Sequence, residues 1–214
     1  MNANDSQKDT VRRLLSEAGE TFAEQAGITL ADKPMPLFEL LVLCMLASKP
    51  IDATIATKAA TELFSEKLRT PDAVVAAKRR TVIAAFGRAG YARYDESSAT
   101  RLTQIATAVK EDYHGDLRGL AERANGDVAA AEDLLKGFTG IGDTGAGIFL
   151  REVQDVWTWV RPYFDDRARA AAKDLGLPDR PDELGKLGGD ACAPLAAALV
   201  RVSLDRAVRD AVVS

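Results

Sequence analysis

Apolar residues recur at helical spacing along most of the chain. Val11, Leu14, Leu15, Ala18 and Phe22 mark one face of a helix predicted over 10–25, stopped by Gly27 and preceded by a polar, frayed segment over 1–9. Lys33-Pro34-Met35-Pro36 reads as a linker. The next run, 37–48, is apolar on most sides, so it is expected at the centre of a core, with Pro50 beyond its end. Asp52 is placed to cap a helix through Phe64. Thr70-Pro71-Asp72 combines a cap, a proline at the first helical position and an acid in the first turn. Lys78-Arg79-Arg80 ends that short helix and starts the next, through Phe86, after which Gly87 and Gly90 bracket a loop. Helices are expected over 98–113 and 116–124, and another begins at Gly126-Asp127.

The segment 134–150, LLKGFTGIGDTGAGIFL, breaks the pattern at Gly140-Ile141-Gly142. Two glycines one residue apart let the backbone turn sharply and approach a partner, because no Cβ intervenes. The flanking apolar residues predict helix, tight hairpin, helix, with the second helix starting near Asp143 or Thr144. Its first N–H groups would be free to face a phosphate oxygen. A C-cap glycine followed by a packing loop is the alternative. Beyond it, 153–160 holds Trp157 and Trp159 and reads as an apolar linker, since a lone strand would lack a partner. Core packing is the expectation for both tryptophans. A helix over 165–175, a Pro-rich turn over 178–181, a short helix over 182–187 and a last amphipathic helix over 194–212 follow. The sum is about eleven helices and no sheet, an all-α chain.

Composition narrows the classes. The 214 residues are 47% hydrophobic, enough for a sizeable core in one compact domain or two small lobes. A net charge of −4 argues against a generally basic nucleic-acid binder but leaves room for a local basic cleft. Lys78-Arg79-Arg80, Arg88 and Arg93 are basic patches: solvated helix faces or phosphate contacts. Cys44 and Cys192 lie far apart, so no disulfide framework is expected and a reducing, cytoplasmic setting is. Nothing near the start reads as a signal peptide, and no apolar run is long enough for a membrane span. His114, in a loop, is expected to be structural, and no metal-ligand cluster is apparent.

Twenty-three residues past Gly142 stands Asp165, in Phe164-Asp165-Asp166-Arg167-Ala168-Arg169, leading to Leu175-Gly176-Leu177. Hairpin, apolar connection, then an acid at a helix start, together with Phe38-Glu39-Leu40-Leu41 through Ser48 and Asp52, resembles the helix–hairpin–helix DNA glycosylases of the endonuclease III-like superfamily. Gly90-Tyr91 and Tyr113-His114-Gly115-Asp116 fall where that family has similar residues. The resemblance covers roughly 34–178. It implies a two-lobed helical fold, one lobe over 34–152 and the other joining 1–33 to 153–214, with the hairpin at the cleft between them. It also implies a protein that works on double-stranded DNA as a monomer, with Gly140, Ile141, Gly142, Asp143, Thr144 and Gly145 as the DNA-binding hairpin.

The implied chemistry is hydrolysis of the N-glycosidic bond of a damaged or mismatched base in duplex DNA. A carboxylate stabilises the cationic sugar as the base leaves and activates a water. Asp165 is the candidate, and Asp166 its competitor. Adjacent helical residues point about 100° apart, so only one can face a cleft. The alternative for both is an ordinary N-cap pair. Where lyase members carry lysine, two residues after the second hairpin glycine, this chain has Thr144, which forms no Schiff base, so strand cleavage is not expected. Asp143 stands where a neutral or basic residue is usual. Lys49 replaces a gap-filling glutamine and contacts the DNA backbone or sits in solvent. The four-cysteine cluster is absent, so no iron–sulfur cofactor is expected, although a monovalent cation at the hairpin carbonyls is compatible. These departures leave two further readings: a DNA-binding relative without activity, and an all-α interaction module with a coincidental Gly-Ile-Gly turn.

Overall fold

The computed structural model describes residues 3–213, and every regular element among them is helical. In chain order these are α1 (Ala3–Ala18), α2 (Phe22–Gln25), α3 (Pro34–Ala47), α4 (Ala53–Ser65), α5 (Pro71–Ala76), α6 (Arg79–Ala89), α7 (Asp95–Tyr113), α8 (Arg118–Ala124), α9 (Val128–Lys136), α10 (Asp143–Val153), α11 (Asp166–Asp174), α12 (Pro181–Gly188), α13 (Cys192–Leu204) and α14 (Arg206–Val213). Short 3-10 turns stand at Ala92–Tyr94 and Thr158–Val160. The chain is all-α. Among the described residues no single helix is long and apolar enough to cross a membrane.

Two compact units form. One comprises the residues up to Phe22 and from Leu150 onward, the other Ala23–Phe149. These breaks fall earlier than the expected ones at 33/34 and 152/153. Residues 23–33 group with the second unit and 150–152 with the first.

The Ala23–Phe149 unit is built on α3. Every residue from Pro36 to Leu46 is buried, including the one charged residue, Glu39, which Arg69 pairs. Burial pushes the Glu39 carboxyl above its usual range despite that pairing. A helix apolar all round has no solvent face to spare, so α4 and α7 pack on it, and α6 bridges those two. The other unit repeats this device with α13, whose residues from Leu195 to Val200 are all buried and on which α1, α11, α12 and α14 pack.

Several helix starts are cap-directed. Asp52 accepts from the Thr54 N–H at 2.7 Å, Thr70 from the Ala73 N–H at 3.3 Å and Asp127 from the Ala129 N–H at 2.9 Å. Other expectations need correction. The segment expected to fray is helical from Ala3, with Asp5 in the favourable first turn; Met1 and Asn2 lie outside the described residues. The helix expected over 10–25 stops at Ala18: a Cβ on Gly19 would lie 2.4 Å from the Leu15 carbonyl oxygen. Gly87 is inside α6, and only Gly90, at φ +77, ends it. The single last helix is two, because Asp205 turns its carboxylate back onto the Ala207 N–H at 2.8 Å and caps a new start.

Candidate functional site

The hairpin lies in the Ala23–Phe149 unit. α9 ends at Lys136, and the Ile141 N–H donates to the Phe138 carbonyl at 3.0 Å, closing the turn. Gly140 holds φ +91, a region that side chains rarely adopt. The Arg101 side chain covers it: a Cβ there would lie 2.7 Å from Arg101 Cδ. Gly142 does a different job. No atom lies within 4 Å of its Cβ position, so it faces open space. The Gly142 carbonyl accepts the first helical bond from Ala146 at 2.9 Å. The N–H groups of Asp143, Thr144 and Gly145 precede that bond and have no acceptor within the helix.

Of the other residues expected here, Ile141 is buried, while Thr144 is exposed. Gly145 is buried because Ser48 Oγ occupies the space a Cβ would need, 2.5 Å away. That contact fixes the end of α3 against the start of α10. Ser48 itself donates to the Cys44 carbonyl at 2.7 Å. Lys49 follows directly, its Nζ 5.6 Å from the centre of the Tyr94 ring. Burial, and then the positive charge of Arg101, push the Lys49 amine below the usual lysine range. Neither Lys49 nor Arg101 has a carboxylate within 4 Å among the described residues.

Asp143 is 90% exposed at the opposite rim. Lys136 reaches it at 3.4 Å while also touching Glu132 and Asp133, each at 3.3 Å. The hydrogen bonds that Lys136 donates to Asp133 and Glu132 push it above the usual lysine range. Lys136 is therefore an acid-held strut across the hairpin.

The candidate carboxylate lies in the other unit. Asp165 is the N-cap of α11, and its Oδ1 accepts from the Ala168 N–H at 2.9 Å. Its Oδ2 accepts from Arg151 at 2.5 Å, and its side chain is 18% exposed. Asp166 points fully into solvent and, among the described residues, meets only Arg169, at 3.5 Å. Two residues invisible to sequence reasoning set this geometry. Arg151 is buried over the Phe22 ring at 5.2 Å and also meets the buried Glu152 at 3.4 Å. Buried Gln154 accepts from the Tyr163 N–H at 2.9 Å and donates to the Tyr163 carbonyl at 2.8 Å, fixing the approach to Asp165. Gln154 falls in the 153–160 segment that reads as an apolar linker, and no local signal marks the long-range partners of either residue.

Trp157 and Trp159 stack on each other at 5.7 Å, with Trp157 buried. His114 caps α7 in a left-handed conformation at φ +54. Among the described residues, no group of three or more His, Cys, Asp or Glu is placed to share a metal ion.

No protein-family model matches the chain, and no curated protein matches it. Among solved structures, it is similar to a trapped covalent intermediate of endonuclease III with DNA, the estranged-adenine complex, at 18% identity and a TM-score of 0.47 over 91% of this chain and 84% of that one. At that level the likeness does not decide what this chain binds or does.

Proposed function

We propose that the chain binds the phosphate backbone of duplex DNA through the hairpin corner of the Ala23–Phe149 unit. The observation that carries this is charge without counter-charge. Burial and then the charge of Arg101 disfavour the Lys49 ammonium, and no carboxylate lies within 4 Å of either side chain among the described residues. Beside them, Gly142 leaves open space in front of the unpaired N–H groups that start α10. A phosphate oxygen satisfies both at once: it takes the N–H groups and relieves the repulsion. With a net charge of −4 on the chain, the attraction is local to the corner.

The test is salt dependence. Each phosphate neutralised adds about −0.9 to the slope of log affinity against log salt. The double variant Lys49→Gln, Arg101→Gln should flatten that slope by roughly one phosphate's worth in fluorescence anisotropy with a labelled duplex. An unchanged slope removes the corner as the anchor.

Hydrolysis of a glycosidic bond by Asp165 is the second reading. What favours it is that, of the two neighbouring acids, only Asp165 is drawn inward and held in one orientation. The same contacts weigh against it. Both carboxylate oxygens are engaged, and the Arg151 guanidinium offsets the negative charge that a developing sugar cation would need. Binding without catalysis is therefore the reading we prefer. It expects no base release from alkylated, oxidised, deaminated or mismatched duplexes. Release that falls about 10²–10³-fold in Asp165→Asn would establish the hydrolase instead.

A further inference from the structure

We propose that the unit made of the residues up to Phe22 and from Leu150 onward binds a free α-amino acid with a small apolar side chain, in a pocket between α11, α13 and α14. The proposal is independent of the DNA reading, which concerns the other unit. α11 and α14 both pack on α13. Beside the last turn of α13 they leave a pocket of about 110 Å³. Arg167, Ala171 and Asp174 of α11 line it, with Val202 and Ser203 of α13 and Arg209 of α14. Arg167, Ala171 and Asp174 stand at helical spacing, so they share one face of α11. Buried Ala171 and Val202 give the pocket an apolar floor, and the three charged residues are exposed. Drug-sized ligands take about 300–1,000 Å³, so this pocket admits a smaller molecule.

Arg167, Asp174 and Arg209 line this one pocket, yet neither arginine lies within 4 Å of Asp174. None of the three side chains has another ion-pair or hydrogen-bond partner among the described residues. Their neighbours behave differently: Arg169 meets Asp166 at 3.5 Å, and Arg206 meets Asp210 at 3.9 Å. Unpaired charges of both signs around one cavity select among ligands. A simple anion is drawn to the arginines and repelled by Asp174, and a simple cation meets the reverse. A zwitterion satisfies all three, its carboxylate taking the arginines and its ammonium taking Asp174. Ser203 adds to the ammonium side. Its hydroxyl proton is already donated to the Val200 carbonyl at 2.7 Å, so its oxygen is left to accept. The ligand's side chain then rests on the apolar floor. A peptide terminus carries only one of the two charges, so a free amino acid is the better match.

The experiment titrates L-valine into the whole chain and follows the backbone amide shifts by NMR. Saturable shifts centred on α11, the last turn of α13 and α14 are expected, with a Kd of about 1 mM or tighter. N-acetyl-L-valine lacks the ammonium and L-valinamide lacks the carboxylate, so each should bind at least about ten-fold more weakly. The double variant Arg167→Gln, Arg209→Gln and the single variant Asp174→Asn should each lose about ten-fold in affinity for L-valine. Their melting temperatures should match the wild type, since all three side chains are exposed and unpaired among the described residues. Absence of saturable shifts up to about 10 mM L-valine overturns the proposal. Equal binding of either blocked form overturns it too, because the pocket would then read a single charge. Wild-type affinity in either variant does the same, by placing the amino acid elsewhere.

Discussion

Arg151 and Arg101 are both drawn in from solvent, one in each unit, and their surroundings differ in one respect. Arg151 is 4% exposed and meets two carboxylates, Asp165 at 2.5 Å and Glu152 at 3.4 Å. Burial opposes its charge, but the two acids outweigh burial and leave it above the usual arginine range. Arg101 meets no acid among the described residues and has Lys49 for a neighbour. A buried cation with its charge offset belongs to the architecture, since nothing is left for a ligand to satisfy. A pair of half-buried cations with no carboxylate beside them among the described residues is instead what the proposed phosphate contact rests on. The comparison moves attention from Asp165, the residue that sequence favours for chemistry, to the hairpin corner.

The largest effect should come from breaking the offset charge. Arg151→Met leaves Asp165 and buried Glu152 without their guanidinium, and losing one partner of a buried ionic group costs about 3–5 kcal/mol. Urea denaturation measures it. A loss below about 1 kcal/mol would mean that the acids find water or other donors, and that Arg151 is not the fixed point described here.

A second test separates the two hairpin glycines. At Gly140 a side chain must adopt φ +91 and displace Arg101, so Gly140→Ala should cost about 1–2 kcal/mol whatever the ligand. At Gly142 a side chain meets nothing, so Gly142→Val should change stability by less than about 1 kcal/mol. It should nevertheless weaken duplex binding, because the side chain fills the space in front of the α10 N–H groups. Thermal melts and anisotropy on both variants decide it. A destabilised Gly142→Val, or one that binds like the wild type, would put the open face of the hairpin elsewhere.

The sequence made the elements with local causes legible. Asp52, Thr70 and Asp127 act on N–H groups two or three residues away, so each helix start is written in adjacent residues. α3 is legible because a helix apolar on all sides has only one place to go. The hairpin is legible from two glycines, although their separate jobs are not: one holds a strained φ and the other an open face. What escaped depends on distant partners. Arg101 matters because it covers Gly140, thirty-nine positions on, and Arg151 because it reaches Asp165, fourteen positions on. Tyr94 looks like any helix-flanking tyrosine until Lys49 is beside it. Asp205 lies inside the helix expected over 194–212, since an acid in mid-pattern fits an exposed face as well as a cap.

The smallest effect, and the one with the most informative sign, belongs to Asp143. It is the one acid at the start of α10, 90% exposed, and its partner Lys136 is shared with Glu132 and Asp133. Asp143→Asn therefore removes little from the fold: the lysine keeps two acids, and the lost carboxylate was already in water. If a phosphate docks on the N–H groups beside it, the lost charge was a repulsive one a few ångströms away. At low salt, duplex binding should tighten about five-fold, and the gain should fade as the ionic strength rises. Sequence reasoning treats this acid as a departure that weakens a DNA-binding assignment. Under the present reading it tunes a site it does not define, so removing it improves binding. Weaker binding in Asp143→Asn would mean that the acid helps to hold the ligand, and the ligand at this corner would then be a cation or a donor, not a phosphate.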